Sequence, residues 1–311
     1  MHIPDLEELF VEDAGLPHPD WKAISELIEE RVTDLPSKQA AWQSAAGLWL
    51  AHLQARLGEA FVVDETEHFH LLSSLDKSQR KKVCSFLERT RTLILRNLGN
   101  LAKTDYFGKH AVIVFADTEQ YYPYVSHFYP DGEFPASEGM FISAGYMHIV
   151  VSNDTEWRLY PSLAHELSHN LTMHLPLPTW LNEALAMNVA DTMVGRRLNP
   201  LDRETVAKHQ AFWDATTIQE FWSGTAWNRP DEGSHLSYSL AKTLLDIINT
   251  DLFPTLQQFQ EFIRNASRSD AGEAAADAEL GISLGEVVAV FLGPGDWTPN
   301  PGNRCDATNP D

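Results

Sequence analysis

The sequence is short of cysteine, of basic residues and of long apolar runs, and each shortage closes off a class of protein. Two cysteines, Cys84 and Cys305, in 311 residues make no disulfide framework. Lys and Arg number 23 against 44 Asp and Glu, a formal net charge of -21. Such a surface repels phosphate backbones and anionic lipid, so neither nucleic acid nor a membrane is expected as a partner. No apolar run approaches the ~20 residues of a membrane-spanning helix. The N-terminus, MHIPDLEELFVEDAG, lacks the basic start and apolar stretch of a secretory leader. A reducing cytoplasm is the expected location, with an exported mature form as the alternative. No internal repeat is visible.

What is present reads as a mostly helical α+β protein. Helical periodicity marks Trp21–Arg31, Ala40–Leu57 and Lys77–Leu101 in the first third. Residues 1–20 are acidic and proline-punctuated, and read as a loose arm or short helix. Ala111–Phe115 is an apolar run that predicts a buried strand. Thr118–Phe128 predicts a short helix whose tyrosines pack on a sheet. Gly139–Val151 predicts a hairpin with its turn near Ala144-Gly145. Helices are expected again over Thr179–Val194, Ser234–Ile248, Phe253–Arg264 and Leu284–Phe291. Phe221–Gly233 reads as a loop and 293–311 as an irregular tail. His68 and His70 are two apart, a spacing for a strand or turn, and read as surface or structural residues.

The stretch with chemistry in it is 160–186, YPSLAHELSHNLTMHLPLPTWLNEALA. It contains His165-Glu166-Leu167-Ser168-His169. On a helix, residues four apart share a face, so His165 and His169 can offer two imidazoles to one ion. Glu166, about 100° around the helix, can reach an attacking water. Pro161 is expected in the first turn of this helix. Catalytic zinc takes three protein ligands and keeps one position open, so a third ligand is needed.

Three residues compete for that role. His174 follows His169 by five residues, where the three-histidine pattern requires six and an intervening glycine. Asp191 falls two turns beyond Glu183 and suits a supporting role behind a ligand imidazole. Glu183 lies fourteen residues after His169, in W-L-N-E-A-L-A, where apolar neighbours leave one carboxylate in want of a partner. A short turn through Pro176 and Pro178 would fold the second helix back and bring Glu183 to the ion.

The H-E-x-x-H, the short gap and the W-L-N-E-A-L-A together resemble the gluzincins, zinc metallopeptidases with a glutamate third ligand. The similarity is greatest to small bacterial, minigluzincin-like members, and Ala184 replaces the glycine usual after their ligand glutamate. The gap is shorter than in the thermolysin-like and large aminopeptidase branches. The resemblance implies a thermolysin-like zincin fold, mostly helical, with a small mixed sheet whose edge strand lines the cleft. It implies one zinc ion held by His165, His169 and Glu183, with Glu166 as general base. It also implies an oxyanion-stabilising tyrosine on a later helix, matched here by Tyr238. His235, three residues earlier on the same face, is the reserve candidate. The expected division is an N-terminal helical region (1–105), a catalytic domain (106–250), and C-terminal helices with a tail (251–311).

The expected activity is zinc-dependent hydrolysis of peptide bonds in a peptide or protein substrate, aligned along the strand at Tyr146–Val151, with His148 as a further substrate-facing candidate. The aminopeptidase branch carries G-x-M-E-N on its cleft strand. Gly139-Met140-Phe141 and Ala144-Gly145-Tyr146-Met147 supply no such glutamate, so amine capture is not implied. The alternatives are an inactive or regulatory zincin that binds a peptide or partner, and a zinc hydrolase of a non-peptide amide or ester. The resemblance is strong over 160–186 and loose from 111 to 248. The first hundred residues and the last sixty carry no signature.

Overall fold

His110–Phe115 (β5) is buried at every position, which fits a strand covered on both faces. A computed structural model of the chain describes residues 6–104, 108–129, 137–252 and 255–300. Cys305, the tail beyond 300 and the first residues of the helix expected at Phe253 lie outside these. The chain divides into two compact units, one of residues 1–92 and 103–170, the other of 93–102 and 171–311. Among the described residues the fold is mostly helical, with small sheets. No described helix is long and apolar enough to cross a membrane.

The first unit is built on a mixed sheet. Its strands are Val62–Glu65 (β3), Phe69–Ser73 (β4), β5, Gly139–Ile142 (β6) and His148–Ser152 (β7), in the order β3-β4-β5-β7-β6. β5 runs parallel to β4 and to β7, while β6 returns antiparallel to β7. The β6–β7 hairpin is where the sequence predicts it. Its consequence differs from expectation. β7 is hydrogen-bonded on both sides and has no edge to give to a peptide; among the described residues the outer strands are β3 and β6, and β6 is the one that pairs with β7.

Of the stretch read as a loose arm or short helix, residues 1–5 lie outside the described residues, Leu6–Leu9 is a 3-10 turn as that reading allows, and the rest departs from expectation. Phe10–Asp13 (β1) and Leu16–Pro19 (β2) form an antiparallel hairpin, and β2 is buried throughout. The hairpin is held by ring stacking of Phe10 on His52 and of His18 on His127, and by a bond between His127 and Asp13. Its proline-rich, acidic sequence hides these partners, which lie more than thirty residues away.

Helices Trp21–Arg31 (α1), Leu35–Leu57 (α2) and Lys77–Leu98 (α3) follow the periodicity. α2 starts five residues ahead of Ala40, because Asp34 caps it by accepting from the Ser37 N–H at 2.9 Å and Pro36 suits a first turn. Thr118–Ser126 (α4) packs Tyr121 and Tyr124 on Phe115 of the sheet, as expected of its tyrosines. Glu156–Thr172 (α5) is the motif helix.

The second unit is helical: Thr179–Val194 (α6), Arg203–Phe212 (α7), Thr217–Ser223 (α8), Glu232–Ile247 (α9), Leu256–Asn265 (α10), Glu273–Leu280 (α11) and Leu284–Leu292 (α12). The segment read as a loop at Phe221–Gly233 contains the end of α8 and a 3-10 turn at Thr225–Asn228. Its tryptophans explain the difference. Trp222 and Trp227 are buried against Phe221, so the segment folds on its own aromatics despite the glycine and proline.

Candidate metal centre

α5 has an apolar stripe and a polar one. Leu159, Leu163, Leu167 and Leu171, spaced by four, are buried with Ala164. This is the core-facing side of an amphipathic helix. His165, Glu166 and His169 come out half-buried beside that stripe. The helix begins at Glu156, so Pro161 sits inside it and not in its first turn. One backbone hydrogen bond is thereby given up, upstream of the motif.

His165 and His169 turn their Nε2 atoms toward each other, 3.0 Å apart. Two nitrogens bound to one tetrahedral zinc at about 2.0–2.1 Å stand roughly 3.4 Å apart, so this spacing is that of ligands converging on one point. Glu183 completes the group. One ligand atom from each of His165, His169 and Glu183 lies within 4.8 Å of the others, and all three residues are half-buried. Two imidazole nitrogens and one carboxylate oxygen form a donor set that zinc favours, with a fourth position left for water or substrate. The cluster is characteristic of a single Zn2+ site and matches the H-E-x-x-H-plus-glutamate active site of gluzincins.

Glu183 is placed by the local build of α6. Trp180, Leu181, Ala184, Leu185, Ala186, Met187 and Ala190 are buried, so the helix is enclosed on nearly all sides. Its start is pinned. The Trp180 indole N–H donates to the Ala271 carbonyl at 2.8 Å. Arg268 donates through its backbone N–H to the Pro176 carbonyl and through Nε to the Leu177 carbonyl, both at 2.9 Å. Gly195 closes the far end in the left-handed conformation.

The competing ligand candidates are elsewhere. His174 is exposed and outside the cluster. Asp191 is engaged at the end of α6, not behind an imidazole. It accepts from the Leu198 N–H at 2.9 Å and faces buried Lys242 at 3.4 Å. His148 is buried, held by the Tyr124 hydroxyl and the Tyr146 carbonyl, both at 2.7 Å, so it faces no substrate. His68 is bonded to Glu88 at 2.8 Å, a structural role as read.

Tyr238 and His235 lie on α9, which packs on α6. Asp191 faces Lys242, and further along Arg197 faces Asp246 at 3.1 Å, so the two segments advance in the same sense. Both oxyanion candidates are thus carried by a helix that packs on the one bearing Glu183. Tyr238 is half-buried against the Trp227 ring at 6.1 Å; His235 is exposed.

Gly139, first residue of β6, is the neighbour that sequence reading missed. A methyl group there would lie 3.5 Å from Glu166 Cγ and 3.2 Å from Ser162 Cβ. The edge strand thus begins directly against the stem of Glu166. The signal was a glycine opening a strand, which marks close approach, but it names no partner. Tyr121 and Tyr129 stand close enough to Glu166 for its charge to add to burial, the larger cause, in raising both phenol pKa values.

A second hydrolytic pairing is excluded by its tautomer. His209 Nε2 lies 2.9 Å from Ser239 Oγ, the distance of a nucleophile and its base. The Trp213 indole, however, donates to His209 Nδ1 at 3.0 Å. The ring proton then sits on Nε2, which donates to Ser239 and cannot accept from it. Both residues are buried.

No protein-family model matches the chain, and no curated protein matches it.

Proposed function

We propose that the chain is a zinc metallopeptidase of thermolysin-like zincin fold, which hydrolyses peptide bonds in substrates laid along the outer edge of β6. The convergence of His165, His169 and Glu183 carries this reading, with Glu166 on the same helix as both histidines. Zinc, when bound, lowers the pKa of a water and polarises the scissile carbonyl. The Glu166 carboxylate takes the proton of the attacking water and passes it to the nitrogen of the leaving amine. The Tyr238 hydroxyl donates to the oxyanion as it forms, with His235 in reserve. The outward N–H and C=O groups of β6, an outer strand among the described residues, hold the substrate backbone by strand addition, and the contact of Gly139 with the Glu166 stem sets the base beside that backbone.

The test is chelation and stoichiometric zinc repletion, followed by peptide hydrolysis with wild type and Glu166→Gln. The variant is expected to keep its zinc and lose roughly 10²–10⁴-fold in kcat, the usual contribution of a positioned base. Full activity in zinc-loaded E166Q would remove Glu166 from the reaction.

A further inference from the structure

The edge strand is held at its entry by residues that the reaction above does not use. Ser137, two residues ahead of Gly139, is bound twice to α4. Its hydroxyl meets the Tyr121 hydroxyl at 2.9 Å, and its carbonyl accepts from the Tyr122 hydroxyl at 3.3 Å. Glu138 is bound twice as well. Its carbonyl accepts from the Ser152 N–H at 2.8 Å, and its carboxylate accepts from Arg158 of α5 at 3.0 Å. Gly139 then packs on the Glu166 stem. Three consecutive residues are therefore tied to α4, β7 and α5 in turn, and the last touches the base.

We propose that Tyr121 and Tyr122 are positioning residues for the hydrolysis, acting through Ser137 on the entry of β6. The proposal rests on the reading of Glu166 as general base and β6 as the substrate-pairing edge. Tyr121 is fully buried, its ring packed on Phe115 of the sheet and on Tyr122. A ring held this firmly gives its hydroxyl a fixed place, and fixed groups transmit position to what they bind. Ser137 is the residue by which the chain enters the sheet, so its two hydrogen bonds set where the edge starts. Displacement of the edge by a fraction of an ångström alters the distance between the scissile carbonyl and the proton acceptor, and such displacements are costly in rate.

The two tyrosines bind different atoms of Ser137, and this separates their effects. Tyr121→Phe and Ser137→Ala each remove the hydroxyl–hydroxyl bond. Tyr122→Phe removes a bond to the backbone carbonyl, which S137A retains. Y121F and S137A are each expected to lower kcat/KM for an extended peptide by about 3–10-fold, the range for one hydrogen bond. The double variant Y121F/S137A should be no worse than either single one, whereas Y122F should add its own loss on the S137A background. Zinc stoichiometry and melting temperature are measured in parallel; Y121F should keep its zinc and remain fully folded at the assay temperature, with a melting temperature lowered by no more than the loss of one hydrogen bond. Wild-type kcat and KM in Y121F and S137A, with E166Q inactive, would overturn the positioning role and leave the catalytic reading standing. Additive losses for Y121F and S137A would overturn it too, since the hydroxyls would not be acting on each other. Full activity in zinc-loaded E166Q would instead bring down the reading on which the proposal rests.

Discussion

At the level of single residues the chemistry depends on a few side chains with unequal surroundings. Glu183 is one half-buried carboxylate on a helix otherwise buried by Trp180, Leu181 and Ala184, and it meets the two motif imidazoles at one point. Tyr238 and His235 differ in their surroundings. The Tyr238 ring is packed on Trp227, so little rotamer freedom would remain to be lost in the oxyanion contact proposed for its hydroxyl; His235 is exposed. Tyr238→Phe is therefore expected to lower kcat by roughly 10²–10³-fold with little change in KM, while His235→Ala stays within a few-fold of wild type. Steady-state kinetics on zinc-loaded proteins checks this, and the reverse order would hand the role to His235. The metal ligands were legible in the sequence because the four-residue spacing and the isolated Glu183 are local patterns. Gly139 was not, since nothing near it in the chain points to Glu166.

Among the elements, the β6–β7 hairpin decides what the sheet can do. Its existence was readable from Gly139–Val151, but its place in the sheet was not. Strand order follows from non-local pairing, and β7 pairs with β5, more than thirty residues back. A rule based on neighbouring residues finds the hairpin and cannot tell which arm is the edge. The same limit applies to β1 and β2, whose apolar and histidine partners are distant in the chain. The hairpin turn is locked by Gly145, which has φ +63. A Cβ there would fall 1.9 Å from Trp21 Cδ1, and Trp21 opens α1 while packing on Trp49 and Tyr146. Gly145→Ala must therefore bear a left-handed backbone, costing about 1–2 kcal/mol, and an overlap with an immobilised indole, costing about 1–3 kcal/mol more. The expected result is a loss of roughly 2–5 kcal/mol in urea unfolding of the sheet-containing unit. A midpoint equal to that of wild type would mean that the turn and Trp21 are not packed as described.

Across the whole molecule, the histidines outside the metal centre set a limit on the acid side. His18, His110, His148 and His209 are all buried, and burial, the largest cause for each, lowers their pKa from 6.5 to about 4. For His18 the stacked His127 adds to the effect, for His110 it is Arg91, and for His209 it is His235. A base with a depressed folded-state pKa binds fewer protons than its unfolded counterpart over the window between the two values. Stability then rises with pH across that window, so it is complete above pH 6.5 and is lost as the pH falls toward 4. One buried imidazole moved by this much is worth on the order of 3 kcal/mol when fully titrated. Carboxylates that accept backbone N–H groups at helix starts act in the same direction at lower pH. Asp34, Asp202 and Asp214 have pKa values below 3.8, chiefly because backbone N–H groups donate to them, and they surrender that contribution as the pH falls below 3.8. Three of the four buried histidines, His18, His110 and His148, belong to the sheet-containing unit, and only His209 to the helical one. Acid should therefore weaken the sheet-containing unit first. Its tryptophans Trp21, Trp42 and Trp49 cluster with Tyr146 and report on it in near-ultraviolet circular dichroism. Urea titrations from pH 7.5 to 4.5 should show the midpoint falling below pH 6.5, with the aromatic signal of this cluster lost ahead of the helical far-ultraviolet signal. A midpoint that stays level down to pH 5 would show that these imidazoles titrate normally in the folded protein, and would break the link drawn between their burial and acid lability.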